Sequence, residues 1–234
     1  MRHLTLSLVL QLALASCSSM PEFEHRSPSG VARADDPNDA RMLAMIGNLF
    51  TAEVCTKLGV EPEPPFVIYH VSGSESLGLA VWRDGDEIVE RRIVIGDAAL
   101  RDQARFSVAH ELVHWYASAP WDRLPHAIEE GLADYIAVHV APEFRDERIA
   151  ELDRRLASIT PERREQALAV SERTWATTPR EVRSDAYAVG FEIVQRFGIE
   201  GLRELCERAQ REGRERVPIA WIEGSTLPPH VARP

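Results

Sequence analysis

Phe106-Ser107-Val108-Ala109-His110-Glu111-Leu112-Val113-His114-Trp115-Tyr116-Ala117 is apolar or small everywhere except at the His-Glu-x-x-His positions. Such a run predicts a buried helix, because a solvated helix would carry charges between its histidines. Spaced i and i+4, His110 and His114 leave one helix face, and each can give a ring nitrogen to the same ion at about 2.0–2.1 Å. Glu111 lies just round the helix, beside the coordination position left over. Two ligands do not hold a catalytic metal, so a third must come from elsewhere in the chain.

Three continuations compete for that place. The metzincin pattern would need Gly and His where the chain has Ala117 and Pro120, and is excluded. Asp122, in the turn Ala119-Pro120-Trp121-Asp122, has no further zinc signature around it and is the lesser candidate. The third is Ile128-Glu129-Glu130-Gly131-Leu132-Ala133-Asp134-Tyr135, a second helical pattern after Pro125 that can return antiparallel to the first. Its Glu-Gly-Leu-Ala-Asp-Tyr, with Glu130 sixteen residues after His114, resembles the third-ligand helix of gluzincins, the HExxH peptidases that complete their zinc site with a glutamate. The spacing resembles that of small gluzincin-like domains in bacterial envelope proteins more than the longer thermolysin and aminopeptidase branches.

The resemblance covers chiefly residues 101 to 140. It implies one Zn2+ per chain held by His110, His114 and Glu130, with Asp134 orienting a ligand His. An acid on the helix surface or at its cap is the competing reading of Asp134. Glu129 falls on a different face, and His126 is read as a first-turn residue outside the ligand set. The implied activity is zinc-dependent peptide-bond hydrolysis, with Glu111 as base and then acid towards the leaving amine. Gluzincins usually add a Tyr or His donor for the oxyanion. By order along the chain Tyr187 is the candidate, although Tyr187, Phe191, Val194 and Phe197 also fit a core stripe at helical spacing. The alternative function is an envelope lipoprotein of zincin-like fold that binds a peptide or protein partner around a structural or vestigial metal. Hydrolysis of a non-peptide amide is a third reading. Glu111 argues against a purely structural site, which is more often closed by four protein ligands.

At the amino terminus Met1-Arg2-His3 precedes an apolar stretch from Leu4 to Ala15, too short for a permanent span of about 20 residues and read as a signal peptide over 1–16. Leu14-Ala15-Ser16-Cys17 is similar to a bacterial lipobox, which implies a lipid on Cys17 and an extracytoplasmic, membrane-anchored lipoprotein; an ordinary secretory signal is the competing reading. Ser18 in place of Asp resembles the default that sorts to the outer membrane in a Gram-negative cell. Residues 17–37 are rich in Ser, Pro, Glu, Asp and Arg and are expected to form a flexible tether, leaving 38–234 as a single catalytic domain.

A formal net charge of −10 argues against nucleic acid as a partner, so membrane contact is expected through the lipid alone. Lys57 is the only lysine, which reads as compositional bias. Setting Cys17 aside, Cys55 and Cys206 are an even pair that can form a disulfide or remain two buried thiols.

The element pattern predicts a helix over Asp39–Leu58 stopped by Gly59, then strands at Pro65–Val71, Leu79–Trp82 and Ile88–Ile95, the last two joined by an Asp-Gly turn at Arg83-Asp84-Gly85-Asp86. Helices follow: the His-Glu helix to about Ser118, the Glu130 helix to about Val140, then Glu143–Ser158, Pro161–Arg173, Pro179–Phe197 and Ile199–Glu212. Strands first and helices after is an α+β pattern, and a small mixed sheet ahead of an active-site helix and a mainly helical C-terminal half resembles the zincin architecture. Leu77-Gly78-Leu79-Ala80-Val81-Trp82 is the candidate edge strand for pairing with an extended substrate; an interior strand with Gly78 at a bulge is the competing reading.

Overall fold

The expected tether contains a β-hairpin. In the computed structural model, which describes residues 21–74, 77–84 and 87–224, β1 (Phe23–Ser27) and β2 (Gly30–Ala34) pair antiparallel. β2 then runs parallel to β3 (Phe66–Val71), inside the five-stranded sheet β1-β2-β3-β5-β4. The flexible-tether reading is therefore corrected from Phe23 onward. The segment has few apolar side chains, and its one large one, Phe23, is exposed, but it alternates: Gly30, Ala32 and Ala34 are buried while Val31 and Arg33 are half-buried. Small residues suffice there because ladder hydrogen bonds to β3, which composition does not display, hold the strand. Cys17 and the signal segment lie outside the described residues.

β2 leads into α1 (Pro37–Leu58), two residues earlier than expected. Asp36 caps it by accepting from the backbone N–H groups of Asn38 and Asp39, Pro37 presets the first turn, and Gly59 at φ 65° ends it. β4 (Leu77–Asp84) and β5 (Glu87–Gly96) form the antiparallel pair at the far side of the sheet, and β5 also runs parallel to β3. Gly85 and Asp86 of the expected turn lie outside the described residues. β4 is an edge strand, as the substrate-pairing reading requires, and its register shift falls at Trp82/Arg83, away from Gly78. α2 (Asp97–Tyr116) follows directly and carries the His-Glu motif.

The chain divides at Tyr116/Ala117 into two compact units, where one domain over 38–234 was expected. The first has its own core, with Leu43, Val54, Leu58, Phe66, Ile68, Ile93 and Ile95 excluded from solvent between the sheet and the helices α1 and α2. The second is helical: α3 (His126–Val140), α4 (Arg145–Leu156), α5 (Pro161–Leu168), α6 (Glu172–Trp175), α7 (Arg180–Arg211) and α8 (Ile219–Glu223). α7 is its spine, with α3, α4 and α5 packed on it. The two late helices expected on either side of Gly198 are found, joined as α7 through Gly198, whose φ 69° and ψ 167° are non-helical and open to glycine. The architecture is α+β, a small mixed sheet followed by helices. No helix among the described residues is long and apolar enough to cross a membrane.

Candidate metal centre

α2 is fixed at its start, and its backbone then leaves helical geometry at Gln103 (φ −141°, ψ 27°) ahead of the turns that carry the motif. Asp97, its first residue, accepts from the backbone N–H of Gly73 (3.0 Å) and stands 3.0 Å from Nε2 of the buried His70 on β3, while its own N–H donates to Ser74 O. The Gly73 N–H and the neighbouring His70 hold the Asp97 carboxyl below its ordinary value. At the other end of α2 the indole of Trp115 donates to Pro64 O at 2.9 Å, and Arg91 lies over that ring, 4.7 Å from its centroid. On the motif turns Val108, Ala109, Leu112 and Val113 are fully buried, so this part of the helix is packed into the core.

His110 and Glu111 are buried, His114 is half-buried, and the two imidazoles meet edge-on with Nε2 to Nε2 at 3.1 Å. Two nitrogens bound to one tetrahedral ion at 2.0–2.1 Å stand about 3.3 Å apart, so the pair already has nearly the spacing of two ligands of one metal.

Glu130 is buried on α3, and Pro125 precedes that helix. Gly131, beside it, is where α3 crosses α7. A Cβ on Gly131 would fall 2.1 Å from the Gly190 carbonyl carbon, and one on Gly190 would fall 1.8 Å from Ala127 O. Glycine at both positions lets the two backbones touch, which sets the height of Glu130 along the crossing.

One ligand atom from each of His110, His114 and Glu130 lies within 4.8 Å of the others. Two imidazoles and a carboxylate form a donor set suited to a divalent metal, and the expected triad is thus a possible metal-binding group. Asp134, one turn beyond Glu130 and almost wholly excluded from solvent, takes Nε (3.0 Å) and Nη2 (2.5 Å) of Arg148. Tyr187 stands at the open end of the stripe whose members Phe191, Val194 and Phe197 are buried. Its ring meets Trp175 at 5.5 Å and lies under the Arg148 guanidinium.

Sequence reasoning passed over two groups. His126, set outside the ligands, is buried on the first turn of α3, with Nε2 3.5 Å from Glu130 Oε1, Nδ1 3.5 Å from Glu129 Oε2 and its ring edge-on to Trp175. The i, i+4 step from His126 to Glu130 was the available signal. Asp185, also buried, is held by Arg155 Nε (2.5 Å) on one oxygen and by Nε (2.9 Å) and Nη2 (2.5 Å) of Arg163 on the other. Its partners lie 22 and 30 residues away, too far to read from the chain.

Of the two readings of the cysteine pair, the buried thiols are found: Cys55 and Cys206 are free and buried, one on α1 and one on α7. Each faces the core of its own unit, and burial pushes the Cys55 thiol up to about 11 and the Cys206 thiol up to about 12. Comparison with protein-family models, with curated proteins and with solved structures finds no match for the chain.

Proposed function

We propose that the protein is a zinc-dependent peptidase of gluzincin type, carried outside the cytoplasm by a lipid on Cys17. The observation that carries the reading is the convergence of His110, His114 and Glu130 within 4.8 Å, with Glu111 buried next to His110 in the same helix. A resident zinc ion would supply Lewis acidity and lower the pKa of water at the fourth position. The chain's own residues do the rest. Glu111, held on a rigid helix, takes the proton of the attacking water and returns it to the leaving amine. His110 and His114 are presented by helical turns fastened at their far end through Trp115, and Glu130 by the glycine crossing of α3 on α7. The edge strand β4 offers a backbone ladder to which an extended peptide can add. The small mixed sheet ahead of the motif helix and the helices after it support a zincin-like fold.

Elemental mass spectrometry of the protein purified without chelator or added zinc tests the site. The reading expects one zinc per chain, lost in Glu130→Ala, and a Glu111→Gln variant that keeps its zinc while peptide hydrolysis falls by at least about 100-fold. A folded wild type that carries no zinc and cannot be loaded with it would sink the proposal. Zinc retained without hydrolysis across a peptide library would favour the binding-protein alternative.

A further inference from the structure

We propose that the arginine-walled cleft between α4 and α7 binds an acidic peptide segment. The cleft is half open to solvent, with a volume of about 530 Å³, and Arg148, Arg154, Arg155 and Arg180 line it together with one carboxylate, Glu151.

The four differ in what holds them. Arg148 is fixed by Asp134 and by Glu151 (2.6 Å), and Arg155 by Asp185 and the Glu181 carbonyl (2.7 Å). These two form a rigid wall. Arg154 and Arg180 are exposed, and neither has an ion-pair partner among the described residues. Adding Arg163, which shares Asp185, five guanidiniums face three carboxylates, Asp134, Glu151 and Asp185, an excess of two positive charges.

The chemistry of the lining selects the ligand. Ser158 and Ser184 donate their hydroxyl protons to the carbonyls of Arg155 and Arg180, so guanidinium N–H groups are the main donors offered to a guest. Their planar fork suits carboxylates, which can take two parallel hydrogen bonds. Leu152 and the ring of Tyr187 add carbon surface to the lining. Carbon beside charge suits the methylene stem and carboxylate of Glu side chains better than a bare inorganic ion. The inference uses residues of the second unit alone and does not depend on the metal.

The test is fluorescence anisotropy of a labelled, end-blocked tri-glutamate peptide titrated with the full chain. Tri-glutamine serves as control, and Arg154→Ala/Arg180→Ala is the variant. Because both arginines are exposed and without ion pairs, the variant should melt with the wild type. The expected result is saturable binding of tri-glutamate, at least tenfold weaker binding of tri-glutamine, at least a tenfold loss in the double variant, and weakening as salt rises from about 50 to about 300 mM. Equal affinity for the two peptides, or an unchanged affinity in the double variant, would overturn the proposal. So would displacement of the peptide by inorganic phosphate at equal or lower concentration, which would assign the cleft to small oxyanions.

Discussion

The residues of the motif gain their meaning from partners that sit far off in the chain. Asp97 is the clearest case, a first-turn acid that ties the opening turns of α2, ahead of the break at Gln103, to Gly73 and His70. Its carboxyl is held below the ordinary value of 3.8, first by the Gly73 N–H and then by His70. The folded state therefore binds this proton less readily than the unfolded chain does. The associated stability is fully present above about pH 4 and is lost as pH falls through the lowered folded value. In thermal melts across pH 6 to 3, Asp97→Asn is expected to melt below wild type at pH 6 and to converge on it at the acid end. Parallel curves would place the helix anchor elsewhere. The two thiols make a second residue-scale prediction. With pKa values raised to about 11 and about 12, neither Cys55 nor Cys206 presents thiolate at pH 8, so a disulfide-exchange reagent should titrate neither in the native protein and both in denaturant. The cysteine count was legible in the sequence. Whether a bridge forms was not, because bridging depends on distance and cysteine parity carries none.

At the scale of the element, most helices were read with ends within two residues of those found, because their signals are local; the exception is the helix expected over Pro161–Arg173, which ends at Leu168 and is followed by the separate α6. Pro125 opens α3, Gly59 closes α1 and Gly198 bends α7 at the point where the pattern breaks. The crossing of α3 on α7 has no such local signal. Gly131 and Gly190 meet backbone to backbone, and an added methyl at either position has no side chain to push aside. Alanine gains up to about 1 kcal/mol of helix propensity over glycine, but overpacking of a tight contact costs about 1–3 kcal/mol and more when the obstacle is backbone. Gly131→Ala and Gly190→Ala should each lower the urea unfolding free energy by about 2 kcal/mol or more. Gly201→Ala is the internal control: its methyl would meet Phe197 Cβ at 3.6 Å, an ordinary contact, so it should be neutral or stabilise by up to about 1 kcal/mol. A destabilised Gly201→Ala beside an unaffected Gly131→Ala would refute the crossing as described.

For the whole molecule, the hairpin of β1 and β2 shortens the stretch available as a tether between Cys17 and the folded part to the residues before Phe23. If the lipid anchors the chain, the full-length protein made in a Gram-negative host should sediment with membranes and incorporate labelled fatty acid. Cys17→Ala should do neither while keeping its fold. A Cys17→Ala protein still recovered wholly in the membrane fraction would remove the lipobox reading. The sequence by itself determined the α+β class, the motif helix, the candidate ligands His110, His114 and Glu130, and most helix boundaries, since each is written in periodicity, caps or short spacings. Only the tertiary structure decided that residues 23–34 join the sheet, that β4 is its edge, that the chain forms two compact units, that both cysteines are free, and that His126 stands beside Glu130. It also decided that Asp134 and Asp185 are clamped by arginines from other helices. Strand order, backbone crossings and buried ion pairs arise between segments distant in the chain, and they are selected by which surfaces exclude water together and which buried charges find partners.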